Sequence, residues 1–133
     1  MRLMRQPVTM PTGATPVSPS VNLGQEKLVG VYLREVGTGL TKLVVQCLID
    51  GNDGDPVASQ LWSDVLITST AQPPAGGFAA EPLGIATGEI VDNSLILFPR
   101  DSCGYVLPVI RLRGEGTLAT NAAVFEFITD PHS

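Results

Sequence analysis

Histidine is nearly absent from this 133-residue chain, since His132 is the only one. Imidazole is a frequent general base and metal ligand, so a single histidine at the second-last position argues against imidazole-based catalysis and multi-histidine metal sites. Cysteine is also scarce, and Cys47 and Cys103 form no Cys-X-X-Cys pair or Cys/His cluster of the zinc-binding kind. Both lie in or beside apolar strand-like runs, so we expect two small buried thiols instead of a disulfide.

Long hydrophobic runs and positive charge are limited as well. No segment approaches the ~18–20 apolar residues of a membrane span, and no apolar signal segment follows Arg2 and Arg5. We therefore expect synthesis in a cytoplasm and no membrane partner. Only 16% of residues are charged, and the net charge is −5. That balance argues against nucleic acid as a partner, because phosphate contacts need clustered Lys and Arg.

The first 21 residues differ from the rest in composition. Residues 1–25 contain two arginines and no acid (+2), whereas residues 26–133 contain 6 bases and 13 acids (−7). Four prolines also occur early, at Pro7, Pro11, Pro16 and Pro19. Because proline removes backbone donors and favours extended neighbours, we predict an extended arm over residues 1–21 and a single domain over residues 22–133.

Alternating apolar and polar residues dominate the chain from residue 28 onward. The predicted strands are 28–36, 41–49, 62–68, 89–91, 94–98, 105–113 and 122–128, with a long loop over 72–82. Within 105–113, Val106, Ile110 and Leu112 are predicted to face inward, and Pro108 indicates a sheet edge or a bulge. Short strands separated by glycine-rich turns predict an all-β protein, an antiparallel β-sandwich or jelly roll with an N-terminal arm.

No catalytic or metal-binding motif emerges from the residue spacing. The acidic turn 50–55 departs from a calcium loop at its fifth, sixth and twelfth positions, where Gly54, Asp55 and Leu61 stand. We predict a solvated hairpin turn there. There is also no GxSxG elbow or phosphate-binding glycine loop. We therefore expect a protein that is not an enzyme, with no catalytic residue, metal or other cofactor.

Binding remains as the expected activity. Trp62, Phe98, Phe125 and Phe127 stand in apolar strand contexts that predict core packing. Phe78 differs, because it lies between Gly-Gly and Ala-Ala in the long loop, from which an aromatic ring can fill a partner's pocket. The arm adds apolar and basic side chains. The predicted partner contacts are Arg2, Arg5, Val8, Met10, Val17 and Phe78.

Two parts of the sequence suggest a family. The run Leu43–Gly54 followed by Trp62–Thr68, and later Gly104–Arg113 before the turn Gly114–Thr117, resembles small tailed-phage capsid decoration proteins, also called cement proteins. The resemblance covers roughly residues 28–128, and the arm and the 72–82 loop depart from it. It implies a jelly-roll-like domain, commonly trimeric, that binds the major capsid protein on the outer capsid surface and ties neighbouring capsomers together.

The resulting hypothesis is a non-enzymatic virion structural protein that decorates a phage capsid. Its expected location is therefore the capsid surface, after synthesis in the host cytoplasm. Two alternatives stay open. One is a receptor- or carbohydrate-binding β-sandwich module, and the other is a different virion part, such as a head-closure or tail component.

Overall fold

Segments with alternating apolar and polar residues form antiparallel strands in the computed structural model. The structure describes residues 3–52, 54–68, 80–85, 88–98 and 105–131. A short 3-10 turn covers Val57–Ser59. No helix in this part of the chain is long and apolar enough to cross a membrane. The strands are β1 Met4–Met10, β2 Gly13–Ala14, β3 Val21–Asn22, β4 Lys27–Glu35, β5 Leu40–Asp50, β6 Leu61–Asp64, β7 Leu66–Thr68, β8 Ala80–Pro82, β9 Gly84–Ile85, β10 Ser94–Leu97, β11 Tyr105–Val106, β12 Val109–Leu118 and β13 Ala123–Asp130.

Two antiparallel sheets pack as a sandwich, so the predicted fold class is confirmed. Sheet A has the order β1-β13-β4-β10, and β11 pairs with β4 on the same edge as β10. Sheet B has the order β2-β12-β5-β6, with β3 beside β2 on β12 and β9 beside β6 on β5. Strands β7 and β8 form a separate two-stranded ribbon.

The core lies between the inner faces of the two sheets. Because side chains alternate along each strand, the apolar side chains of one face lie in the core, and those of the other face lie on the outside of the sandwich. Phe125 and Phe127 in sheet A and Leu43, Ile110 and Leu112 in sheet B are fully buried. Phe98 is buried in the same cluster, so core packing of three of the predicted aromatics is confirmed.

Pro108 marks the point where the chain passes from one sheet to the other. Before it, β11 pairs with β4 in sheet A; after it, β12 pairs with β3 and β5 in sheet B. The Pro108 carbonyl accepts a hydrogen bond from the Leu23 N–H at 2.6 Å. The inward prediction is confirmed for Ile110 and Leu112 but is wrong for Val106, whose side chain is 55% exposed. Val106 belongs to β11, which pairs in sheet A, so its orientation does not continue the alternation of β12 in sheet B.

The predicted extended arm is not confirmed. Strand β1 pairs with β13 from Met4↔Thr129 to Met10↔Ala123, so these residues form an edge of sheet A. Further along, β2 and β3 pair with β12, and Val17 forms a bridge with Arg113. The edge position explains how Pro7 fits in a strand, because an edge strand tolerates a missing backbone donor.

Other predicted elements differ in detail. The runs 28–36, 41–49, 94–98 and 122–128 correspond to β4, β5, β10 and β13, and 62–68 is divided into β6 and β7. No strand forms over 89–91, where the chain instead approaches the Asp92 turn, whose carboxylate accepts the Val36 N–H at 2.9 Å. Of the predicted 72–82 loop, residues 80–82 form β8, and residues 72–79 lie outside the described ranges.

Candidate functional site

The acidic turn after β5 is held by its own side chains. The Asp55 carboxylate accepts the Asn52 N–H at 2.8 Å, and the Asn52 carbonyl accepts Gln60 Nε2 at 2.8 Å. Asp53 lies outside the described residues. Among the residues that are described, no group of three or more His, Cys, Asp or Glu side chains could hold a metal ion.

The predicted partner contacts fall into three groups. Val8 and Met10 are core residues at 6% and 0% exposure, so they are not available to a partner in the folded chain. The correction follows from the pairing of β1 with β13, which turns these side chains inward. Arg5 and Val17 are exposed. The remaining two, Arg2 and Phe78, lie outside the described residues.

Sheet A carries a buried carboxylate on its outer face. The Glu126 side chain is 5% exposed, and it pairs with Arg34 and, at 3.2 Å, with Arg5. Arg34 Nε also donates to Glu126 at 2.8 Å, and this hydrogen bond is the main cause that raises the pKa of Arg34. Arg34 also lies over the Tyr32 ring at 5.8 Å. Two guanidinium groups and one carboxylate leave the cluster with one positive charge.

Beside that cluster, one edge of sheet A presents apolar side chains to solvent. Leu95 and Leu97 pair with Tyr32 and Gly30, and Val106 pairs with Lys27 farther along the same edge of β4. These three side chains are 52%, 58% and 55% exposed. We call this row of Leu95, Leu97 and Val106 the apolar edge. In the described part of the chain, no further strand pairs with β10 or β11.

Sheet B carries a polar network on its outer face. Arg111 Nε donates to Gln46 Oε1 at 2.8 Å, and Gln46 Nε2 donates to Asp64 Oδ1 at 2.9 Å. Arg113 pairs with Asp64 at 3.0 Å, and the Arg111 guanidinium lies 4.2 Å from the Trp62 ring centre. The network therefore joins three neighbouring strands, β12, β5 and β6.

Trp62 is the residue in this network whose predicted position is wrong. It is partly exposed on the outer face instead of packing in the core, and its Nε1 donates to Gln60 at 3.0 Å. The signal that could have placed it is parity: Trp62 shares a strand face with Asp64, as Arg111 does with Arg113. Arg111 and Arg113 also lie on this outer face, where alternation along β12 places them opposite the buried Ile110 and Leu112.

Asp64 and Cys47 of sheet B both have shifted pKa values. The Gln46 hydrogen bond, followed by Arg113, lowers the pKa of Asp64 against the opposing effect of burial. Burial raises the pKa of Cys47, which is a free thiol. A raised pKa reduces the thiolate fraction of Cys47 at neutral pH and so makes this thiol less nucleophilic. Cys103 lies outside the described residues.

Comparisons with protein-family models, with curated proteins and with solved structures find no match. The fold therefore defines the class, an antiparallel β-sandwich, and its two outer faces carry the candidate binding residues.

Proposed function

We propose that this protein is a non-enzymatic virion structural protein that decorates or cements a phage capsid by binding the junctions between capsid subunits. The observation that carries the proposal is the apolar edge of sheet A. The resemblance of residues 43–54, 62–68 and 104–117 to tailed-phage decoration proteins supplies the class of partner, the major capsid protein.

The apolar edge has two properties of a protein-binding surface. Exposed apolar side chains that lie in a row are typical of interaction sites. Strands β10 and β11 also present backbone groups at the edge of a sheet, which can pair with an added strand. The neighbouring cluster of Arg5, Arg34 and Glu126 supplies a polar rim with one net positive charge.

The order of the strands supports the jelly-roll-like part of the proposal. The chain changes sheet between β1 and β2, between β3 and β4, between β4 and β5, between β9 and β10, and again on each side of β12. Such alternation links the two sheets through the chain at many points, which suits a protein that clamps capsid subunits.

A homotrimer is part of the proposal, because the resemblance implies it and three copies would repeat each capsid contact three times. Repetition raises the apparent affinity without new contacts. Size-exclusion chromatography with light scattering should give three times the 14.0 kDa mass of one chain. A monomer mass would contradict the trimer but leave the docking surface standing.

The docking surface is tested by Leu97→Ser, with Leu61→Ser as the matched control. Both leucines are exposed on edge strands, at 58% and 57%, but Leu61 lies in sheet B. We expect Leu97→Ser to weaken co-sedimentation with capsids of the encoding phage by about tenfold and Leu61→Ser to leave it unchanged. Equal effects of the two variants would contradict the assigned surface. Deleting residues 1–21 is not a clean test, since the deletion removes β1, β2 and the first residue of β3.

The class itself is tested by locating the protein. Immunogold labelling of phage particles should place it over the capsid surface. Labelling confined to the neck or tail would instead indicate a head-closure or tail component, and unlabelled particles would contradict a virion role.

The carbohydrate-binding alternative receives less support from the geometry. Sugar-binding modules use the free faces of aromatic rings, whereas Tyr32 and Trp62 each have a guanidinium group over the ring. Specific retention of the isolated protein on a glycan array would revive that alternative.

A further inference from the structure

Arg111 differs from the other arginines of the described chain. Arg5 and Arg34 pair with Glu126, and Arg113 pairs with Asp64 and Glu115. Arg111 is partly buried, yet within the described residues its guanidinium makes no ion pair and its hydrogen bond uses Nε alone. Its two terminal amino groups therefore have no acceptor there.

The surrounding side chains hold this guanidinium in place. Gln46 is 8% exposed, and its amide is fixed between Arg111 and Asp64. On the other side, the Trp62 ring lies 4.2 Å away and is itself anchored through Nε1 to Gln60. A guanidinium that is already oriented loses little conformational freedom when a ligand binds.

The cost of burying the Arg111 charge also favours binding of an anion. Burial lowers the pKa of Arg111, and no neighbouring charge offsets that effect. A partly desolvated cation without a counter-charge gains more from an incoming anion than a fully solvated one does. The folded chain thus holds the Arg111 guanidinium in place without an opposite charge paired with it.

The shape and charge of the site limit the ligand. A planar guanidinium offers paired N–H donors that match the two oxygens of a carboxylate. Only one unpaired positive charge is present, and the Asp64 carboxylate lies just beyond Gln46. A dianionic phosphate or a nucleic acid backbone is therefore a poorer match than a single carboxylate.

We propose that Arg111 and Trp62 form a binding site for one carboxylate group, supplied by an acidic side chain of a partner protein or by a small organic acid. The site lies on sheet B, so it does not depend on the apolar edge of sheet A or on the assignment to a capsid.

The test uses Trp62 as a built-in reporter, because it is the only tryptophan in the chain. The full-length protein is titrated with sodium acetate at constant ionic strength, with sodium chloride replaced, while Trp62 fluorescence and its indole N–H resonance are followed. We expect a saturable change with acetate. No change beyond that seen with chloride alone would overturn the proposal, as would tighter binding of inorganic phosphate than of acetate.

Variants assign the effect to Arg111. Arg111→Lys keeps the charge but loses the planar fork, so we expect acetate affinity to fall by about tenfold. Arg5→Gln is the control, because it removes an arginine of sheet A whose side chain is 67% exposed. The acetate affinity of this variant should stay within about twofold of that of the parent. Equal acetate binding by Arg111→Lys and the parent would overturn the assignment. If Arg111→Lys does not fold, the Arg111 Nε resonance of the parent must itself shift with acetate, and an unshifted resonance refutes the site.

A second arm distinguishes the two sources of the carboxylate. A blocked peptide with one glutamate is compared with its glutamine counterpart and with acetate. Tighter binding of the glutamate peptide than of acetate supports a partner side chain, and equal binding supports a small acid. Equal binding of the glutamate and glutamine peptides would contradict carboxylate recognition.

Discussion

Glu126 and Asp64 are the acidic residues around which charge is arranged on the two outer faces. Glu126 is almost fully covered, and two arginines from β1 and β4 surround it. Asp64 is 38% exposed and joins Gln46 to Arg113. Because each carboxylate accepts bonds from a neighbouring strand, these residues align the strands laterally as well as balancing charge.

Replacing Asp64 by Asn should make stability less dependent on pH. Folding lowers the pKa of Asp64 below its ordinary 3.8, mainly through the Gln46 hydrogen bond. The stabilisation is therefore fully present above 3.8 and is lost as the pH falls through the lowered value. We expect Asp64→Asn to be less stable than the parent at about pH 7, with the difference shrinking toward about pH 2.

Urea unfolding across that pH range measures the effect. Asp50→Asn is the control, because Asp50 is exposed and makes no ion pair among the described residues. A constant difference between Asp64→Asn and the parent at every pH would contradict the linkage.

At the scale of elements, the first three strands of the chain complete the two sheets. Strand β1 covers the free edge of β13, and β2 and β3 cover the edge of β12. A segment that composition assigns to an extended arm is thus structural. Its alternation of Val8 and Met10 with polar residues is the pattern of a half-buried strand, and an edge position accommodates its proline.

Met10→Ala tests whether β1 belongs to the core. Met10 is fully buried, so we expect a loss of about 2–5 kcal/mol in the free energy of unfolding. Met4→Ala in the same strand is the matched control, since Met4 is 42% exposed and should change stability by less than about 0.5 kcal/mol. Equally small effects in urea titrations would show that β1 is dispensable, as a free arm would be.

Gly30→Ala tests the contact between β4 and β10. A Cβ at Gly30 would collide with the Ile96 carbonyl oxygen, so we expect a loss of about 1–3 kcal/mol and faster hydrogen exchange in β10. Gly54→Ala should be close to neutral, because a Cβ there meets nothing within 4 Å. A neutral Gly30→Ala variant would mean that β10 lies farther from β4 than described.

At the scale of the whole molecule, the core is shared between the two sheets. Buried side chains from both sheets form one cluster, in which Met10 of β1 and Leu112 of β12 are members. Because neither sheet can bury its inner face without the other, we expect the sandwich to unfold as a single cooperative unit.

Trp62 allows this cooperativity to be measured. It reports on sheet B, whereas Met10→Ala weakens sheet A. Far-ultraviolet circular dichroism and Trp62 fluorescence should therefore give the same unfolding midpoint, and Met10→Ala should shift both by the same amount. A Trp62 transition that does not respond to Met10→Ala would show that the sheets unfold separately.

The sequence predicts the inward-facing positions of the strands better than it predicts which side chains lie on the outer surface. Inward positions such as Leu43, Ile110 and Phe125 follow from alternation, because burial of one face acts at every second residue. The corrected position of Val106 depends on a neighbouring strand, whereas the face that Trp62 shares with Asp64 could have placed Trp62. Val106 faces solvent because β11 pairs in sheet A, and Trp62 lies on the outer face, where the guanidinium of Arg111 from β12 lies over its ring.

The sequence alone therefore determined the all-β class, most strand positions and the inward face of the central strands, since these depend on local periodicity and on glycine- and proline-marked turns. The tertiary structure alone decided that residues 4–10 form an edge strand, that Pro108 carries the chain between sheets, and that the apolar edge and the Arg111–Trp62 pair exist. These features join residues far apart in the chain, as with Gln46 and Arg111, and strand order and register bring such residues together.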